Sequence, residues 1–161
     1  MAAASSNSSS GSRVLVTNRK ARRDFLVLKD IECGIALCGT EVKSVRAAKA
    51  SLGESFAEIR NGEVLLQSLR IEPYSHGNQF NHDPVRPRRL LLHRREINQL
   101  IGLVSEKGMT LIPLELYLRR GRVKVKLGLC KGKTGQDKRE TLKRRTAERE
   151  AQRAISEHTG R

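Results

Sequence analysis

MTLIPLELYLRRGRVKVKLGLC, residues 109–130, reads as a β-hairpin turning near Arg120-Gly121. In its second arm Val123, Val125, Leu127 and Leu129 alternate with Arg122, Lys124 and Lys126. Successive side chains of a strand point to opposite faces, so one face is apolar and the other is a comb of cations. The apolar face needs a core to cover it. The basic face stays outside.

Upstream, HRREINQLIGLVSEKG (93–108) has the period of a helix. Ile97, Leu100, Ile101 and Val104 fall at i, i+3, i+4 and i+7, and Gly108 suits the residue after the last turn. Residues 73–89 carry three prolines, three arginines and two histidines, and read as an irregular loop. SFAEIRNGEVLLQSLRIEPY (55–74) places Asn61-Gly62 between two strand-like runs, and both residues tolerate the positive φ of a type I′ turn. In GTEVKSVRAAKA, Thr40 suits a helix cap, Val42 and Val45 share a face, and Lys43, Arg46 and Lys49 form a basic stripe. DFLVLKDIECGIALCG (24–39) reads as a long strand interrupted at Gly34, with room for a bulge. About six strands and two short helices result. Hairpin signals and alternating patterns favour a mainly β protein, a small antiparallel barrel of the oligonucleotide-binding (OB) type.

Three segments are expected: a disordered leader (1–12), the barrel (13–130) and a basic tail (131–161). The leader is rich in Ser and lacks the apolar stretch of a secretory signal. The tail has only Leu142 and Ile155 as large apolar residues. Asp137 with Glu140 suggests a capping box, yet there is no apolar face to dock. Such a tail is disordered or frayed alone and helical on a polyanion.

The chain has 161 residues, a net charge of +15 and only 3% aromatic residues. Residues 13–130 hold 22 Lys and Arg against 12 Asp and Glu, and residues 131–161 hold 10 against 5. A cationic excess shared by body and tail concentrates a polyanion, of which nucleic acid is the commonest soluble example. A membrane-surface role is weaker, with no long apolar run and no lipidation signal. Cys33, Cys38 and Cys130 have no CxxC spacing and read as packing residues of a reducing cytosol. His76 and His82 share a loop with Asp83, but the spacing matches no metal motif. There is no phosphate-binding GxxxxGK[ST] loop. Neither a metal, a cofactor nor catalysis is expected.

Five motifs then occur in one order: NRKARRDF (18–25), GTEVKSVRAAKASL (39–52), RRLLLHRREINQL (88–100), KGMTLIPLELY (107–117) and KGK…DKR (131–139). Together they make the chain resemble the small protein B (SmpB) family, the tmRNA-binding proteins of bacterial trans-translation. The resemblance implies an OB-like barrel with flanking helices, working in the cytoplasm as a monomer. It implies binding to the tRNA-like part of tmRNA, near its elbow, and entry with it into stalled ribosomes. The tail then reaches the decoding centre and the empty mRNA channel. By the same matching, the RNA-binding residues are Asn18, Lys20, Arg22, Glu32, Lys43, Arg88, Arg89, Leu91 and His93. The ribosome-contacting tail residues are Lys131, Gly132, Lys133, Asp137, Lys138 and Arg139. The chain departs from the family pattern at Arg23, where His is frequent, at Phe25 and Phe56, where Tyr is usual, and at Thr134, where Lys is usual. Two other readings compete: a structural ribosomal or general tRNA/rRNA-binding protein, and a metal-dependent nuclease using His76, His82 and Asp83.

Overall fold

A computed structural model describes residues 11–77, 81–106 and 108–159. The strands are β1 (Ser12–Thr17), β2 (Phe25–Ile35), β3 (Ala50–Ser51), β4 (Phe56–Arg60), β5 (Glu63–Gln67), β6 (Arg70–Ile71), β7 (Arg88–Leu91), β8 (Met109–Arg119) and β9 (Arg122–Gly132). The helices are α1 (Arg19–Asp24), α2 (Gly39–Arg46), α3 (Arg94–Val104) and α4 (Gly135–Thr159).

The two hairpins form where their turn residues ask for them. β8 and β9 pair from Met109↔Lys131 to Arg119↔Arg122. Arg120 and Gly121, at φ 50° and 76°, make the turn. Asn61 and Gly62, at φ 51° and 75°, do the same between β4 and β5. Positive φ at both central residues matches the turn to the twist of the strands.

β8, β4, β5, β7, β2 and β9 then close into a ring, because β9 pairs with both β2 and β8. Inside lies a core built almost wholly from aliphatic side chains, including Val45, Leu52, Leu66, Leu69, Leu100, Leu116 and Leu127. α2 and α3 cap it through Val45 and through Ile97 and Leu100. An OB-like barrel with flanking helices is what the sequence patterns suggested.

The alternation in β9 holds only as far as Leu127. Gly128, Leu129 and Cys130 are all buried, so both faces are covered there. The cover on the outer face is α1. Its Ala21 packs with Ile112, Leu114 and Cys130 in a second small core, flanked by Phe25 and Val27. Burial pushes the Cys130 thiol up to about 11 and the Cys33 thiol up to about 12, so both are inert packing groups at neutral pH.

Several local expectations need correction. The bulge in β2 lies at Val27–Lys29, not at Gly34. Cys38, not Thr40, is the N-cap of α2, and the Glu41 carboxylate accepts from the Cys38 N–H at 2.9 Å. α3 stops at Val104 with Ser105 as its C-cap, and Gly108, at φ 84°, instead leads into β8. β1, α1 and the short β3–β6 pair were not expected. Residues 1–10 of the leader lie outside the described residues, and Ser12 already belongs to β1. β9 runs on to Gly132.

From Gly135 to Thr159 the tail is one helix, α4, and none of those residues is buried. Its cap lies three residues before the expected one. Asp137 Oδ2 accepts from the Thr134 N–H at 3.0 Å, and Thr134 Oγ1 accepts from the Asp137 N–H at 3.3 Å. This is a capping box with Thr134 in the cap position.

Candidate nucleic-acid interface

The strand pair β2–β7 builds the first cleft. Gly34 sits opposite Leu91, and a Cβ on Gly34 would lie 3.1 Å from the Leu91 Cβ. Glycine therefore lets the Leu91 side chain lie across the neighbouring strand. Leu91 itself is 48% exposed, unlike its neighbour Leu90, which faces the core at 2%. Around this apolar ledge opens a cleft of about 500 Å³, lined by Glu32, Gly34, His93, Glu96 and Lys124 besides the leucines. Three of the expected residues, Glu32, Leu91 and His93, thus meet in one place. His93 starts α3, and its N–H donates to Glu96 at 2.9 Å. Arg89 is beside Leu91 on the same strand and pairs with Glu63 at 3.3 Å. Both partners are more than half exposed, so the pair is weak and phosphate can replace it.

Glu32 is more engaged than its sequence context suggests. Its Oε2 accepts from the Tyr117 hydroxyl at 2.5 Å, and both its oxygens accept from Arg119 Nη1, at 3.1 and 2.9 Å. The Tyr117 hydroxyl first, and then Arg119, hold the Glu32 carboxyl below the usual carboxylate range. Burial and the neighbouring carboxylate push Tyr117 the other way. At neutral pH the group is an ionised acid beside a neutral phenol and a guanidinium.

A second cleft, of about 440 Å³, lies where the tail leaves the body. Asn18, Lys20, Gly132, Lys133 and Lys138 all line it. Lys133 ties the two parts: its N–H donates to the Asp24 carbonyl at 3.0 Å, and its ammonium donates to the Arg22 carbonyl and to Thr141 Oγ1, both at 3.2 Å. Lys20 pairs with Glu54. Arg22 pairs with Glu115 at 2.9 Å. Lys43 is in neither cleft; its ammonium stands 5.0 Å from the centroid of the Tyr74 ring. Lys131 and Arg139 are exposed, on β9 and α4.

Two expected RNA contacts are buried instead. Arg88 has no exposed surface: it pairs with Glu41 and donates to the Leu69 carbonyl at 2.5 Å. Asn18 is 3% exposed. Its amide nitrogen donates to the carbonyls of Leu52 and Pro113, and its oxygen accepts from the Ala21 N–H as the cap of α1. Each uses its polar atoms to join segments distant in sequence, so neither is a free contact. Two of the three residues of the nuclease reading, His82 and Asp83, also have other work. His82 spans Thr40 Oγ1 (3.0 Å) and the Ile71 carbonyl (2.9 Å), and Asp83 caps the Val85 N–H. Among the described residues, no group of three or more His, Cys, Asp or Glu could hold a metal ion. Nor is any helix among them long and apolar enough to cross a membrane.

The family model described as SmpB protein matches residues 15–157. The chain belongs to the SmpB family. A curated relative from Acetivibrio thermocellus, named SsrA-binding protein, is 54% identical over 91% of this chain and 95% of its own. Another from Bacillus subtilis, with the same name, is 54% identical over 89% of this chain and 92% of its own. A solved structure described as "tmRNA-SmpB: a journey to the center of the bacterial ribosome" is similar with a TM-score of 0.65 and 47% identity, over 79% of this chain and 93% of that one.

Within the SmpB pattern, the departures of this chain have structural consequences. Thr134 caps α4 with its hydroxyl, which a lysine there cannot do. Phe56 is 42% exposed and lines the tail-base cleft with Phe25. Arg23 is half exposed and pairs with Asp24 at 3.1 Å. The residues missed were Tyr117, Arg119, Gly34 and Lys124. Gly34 carried a signal as a glycine within a strand, and Lys124 carried one as part of the basic comb of β9.

Proposed function

We propose that this SmpB-family protein is an RNA-binding adaptor: it binds the tRNA-like domain of tmRNA and delivers it to stalled ribosomes for trans-translation. The Leu91 cleft is the RNA-binding surface, and the observation that carries this reading is the meeting there of Glu32, Leu91 and His93 with Lys124 beside them. An apolar ledge suits a sugar or base face, and the cations around it suit phosphate. Arg89 and, further along the surface, Lys20, Arg22 and Lys43 add phosphate attraction. The tail helix, led by Asp137, Lys138 and Arg139, follows the empty mRNA channel from the decoding centre. The protein makes no bond itself, and its place of work is the cytoplasm.

Sequencing the RNA that copurifies with the tagged chain tests this. tmRNA should be enriched far above rRNA and tRNA, and its binding should weaken steeply as salt rises. A protein that stays stoichiometrically with one ribosomal subunit in high salt, without tmRNA, would be a structural ribosomal component instead.

A further inference from the structure

We propose that Arg119, held by the cleft residue Glu32, is an RNA contact beside the Leu91 cleft, and that Glu32 is a positioning residue that acts on the RNA through Arg119. The inference rests on the reading that this face takes RNA, and assigns the work within it.

Glu32 poses a problem on such a face. It is ionised, it carries the same sign as phosphate, and 37% of its side chain is exposed. Its hydrogen bonds answer the problem. Three of its acceptor positions are already used, by the Tyr117 hydroxyl and by Arg119 Nη1 at both oxygens. What the carboxylate does is hold a guanidinium. Arg119 ends β8 at the hairpin turn, and 47% of its side chain is exposed. Only its Nη1 is turned to Glu32. The N–H groups of Nε and Nη2 have no protein partner among the described residues, and this edge is the fork that binds two oxygens of one phosphate or the edge of a base.

The support behind the guanidinium is rigid. Tyr117 is 8% exposed, so its hydroxyl is a fixed donor to Glu32. Lys124 sits opposite Tyr117 across β8–β9 and lines the Leu91 cleft, which puts a second cation beside the first. A surface arginine otherwise samples many rotamers, and ordering it on binding costs affinity. Tyr117, Glu32 and Arg119 form a chain in which each group removes freedom from the next.

The test is a binding series with the full-length protein and the isolated tRNA-like domain of tmRNA, over a range of salt. Variants are Arg119→Ala, Arg119→Lys, Glu32→Ala, Tyr117→Phe and the double Glu32→Ala/Arg119→Ala, each checked for an unchanged thermal melt. Arg119→Ala should weaken binding about tenfold and lower the slope of log K against log salt by about one. Glu32→Ala should weaken binding too, and the double variant should be no weaker than Arg119→Ala alone. Tyr117→Phe should give a smaller loss, and Arg119→Lys should restore only part, since an ammonium has no fork. The inference is overturned if Arg119→Ala binds with wild-type affinity and slope. It is also overturned if Glu32→Ala costs as much in the Arg119→Ala background as alone, since Glu32 would then touch the RNA itself. Wild-type protein that does not bind the domain at all overturns the parent reading, and this one with it.

Discussion

Arg88 and Glu41 form an ion pair of 2.8 Å in which neither side chain keeps any contact with solvent. Arg88 lies on β7 and Glu41 on α2, so the pair joins the helix to the barrel. Arg86 adds a second guanidinium, 2.6 Å from Glu41 Oε2. Glu41→Ala would leave Arg88 charged and buried with only carbonyl partners. Breaking such a pair costs about 3–5 kcal/mol, read as a fall in the urea midpoint. The double replacement Glu41→Leu/Arg88→Met should cost less than Glu41→Ala, because no fully buried charge is then stranded; Arg86 keeps access to solvent. If the single and double variants are equally unstable, the cost comes from lost packing.

The same pair sets an acid limit. Burial acts to raise the Glu41 pKa, but Arg86, the Cys38 N–H and Arg88 together outweigh it and hold the carboxyl below its usual value of 4.5. A carboxylate with a depressed folded pKa stabilises the fold fully above its unfolded pKa, and that contribution is lost as pH falls through the folded pKa. The melting temperature should therefore drop below about pH 4.5. In Glu41→Gln the protein should start less stable and lose less on acidification. A wild-type melt that is flat down to about pH 3 would contradict this.

Leu90 and Leu91 should separate stability from binding. Leu90 is 2% exposed, and Leu90→Ala should cost about 2–5 kcal/mol through a core cavity. Leu91 is half exposed, so Leu91→Ala should melt close to wild type, yet bind the tRNA-like domain several-fold more weakly. Gel shift and thermal denaturation on the two variants suffice. A Leu91→Ala protein that is as destabilised as Leu90→Ala would mean that the ledge is structural.

These contrasts show what the sequence revealed and where it stopped. Asn61-Gly62 and Arg120-Gly121 are local turn signals, and both hairpins formed as read. The alternation of β9 was legible until Leu127, where α1 covers the outer face. α1 itself was illegible because RKARRD has no apolar period; its fixing points are Asn18 and Ala21, and both depend on distant partners. Arg88 failed for the same reason. Nothing near it distinguishes a buried arginine from an exposed one, since its partner Glu41 lies on another element. The choice of Glu32, Leu91 and His93 came from the family resemblance, and the structure brought them into one cleft and supplied the arginine that Glu32 holds.

The tail should be separable from the body, but the cut must fall after Thr134. Lys131 and Gly132 pair with Met109 and Phe25, and Lys133 binds Asp24 and Arg22. Ending the chain at Thr134 should leave the melt unchanged and tmRNA affinity within about tenfold, about 1.4 kcal/mol, while abolishing tagging on stalled ribosomes. Ending it at Cys130 should lower the melting temperature as well. In the full chain, Thr134→Ala should cost the first turn of α4 about 1 kcal/mol, seen as faster amide exchange there and reduced helical dichroism.

β9 is the last strand of the ring to be synthesised, and it closes the ring by pairing with β2 on one side and with β8 on the other. Until it has been synthesised, β2 and β8 each lack a neighbour, however well the β4–β5 hairpin has formed. Hairpins assemble in microseconds, whereas joining Phe25 to Gly132 spans most of the chain and waits on translation. A nascent chain cut short before β9 would present two unsatisfied strand edges, which are templates for aggregation and for proteases. The barrel therefore closes only in molecules whose translation has passed Gly132.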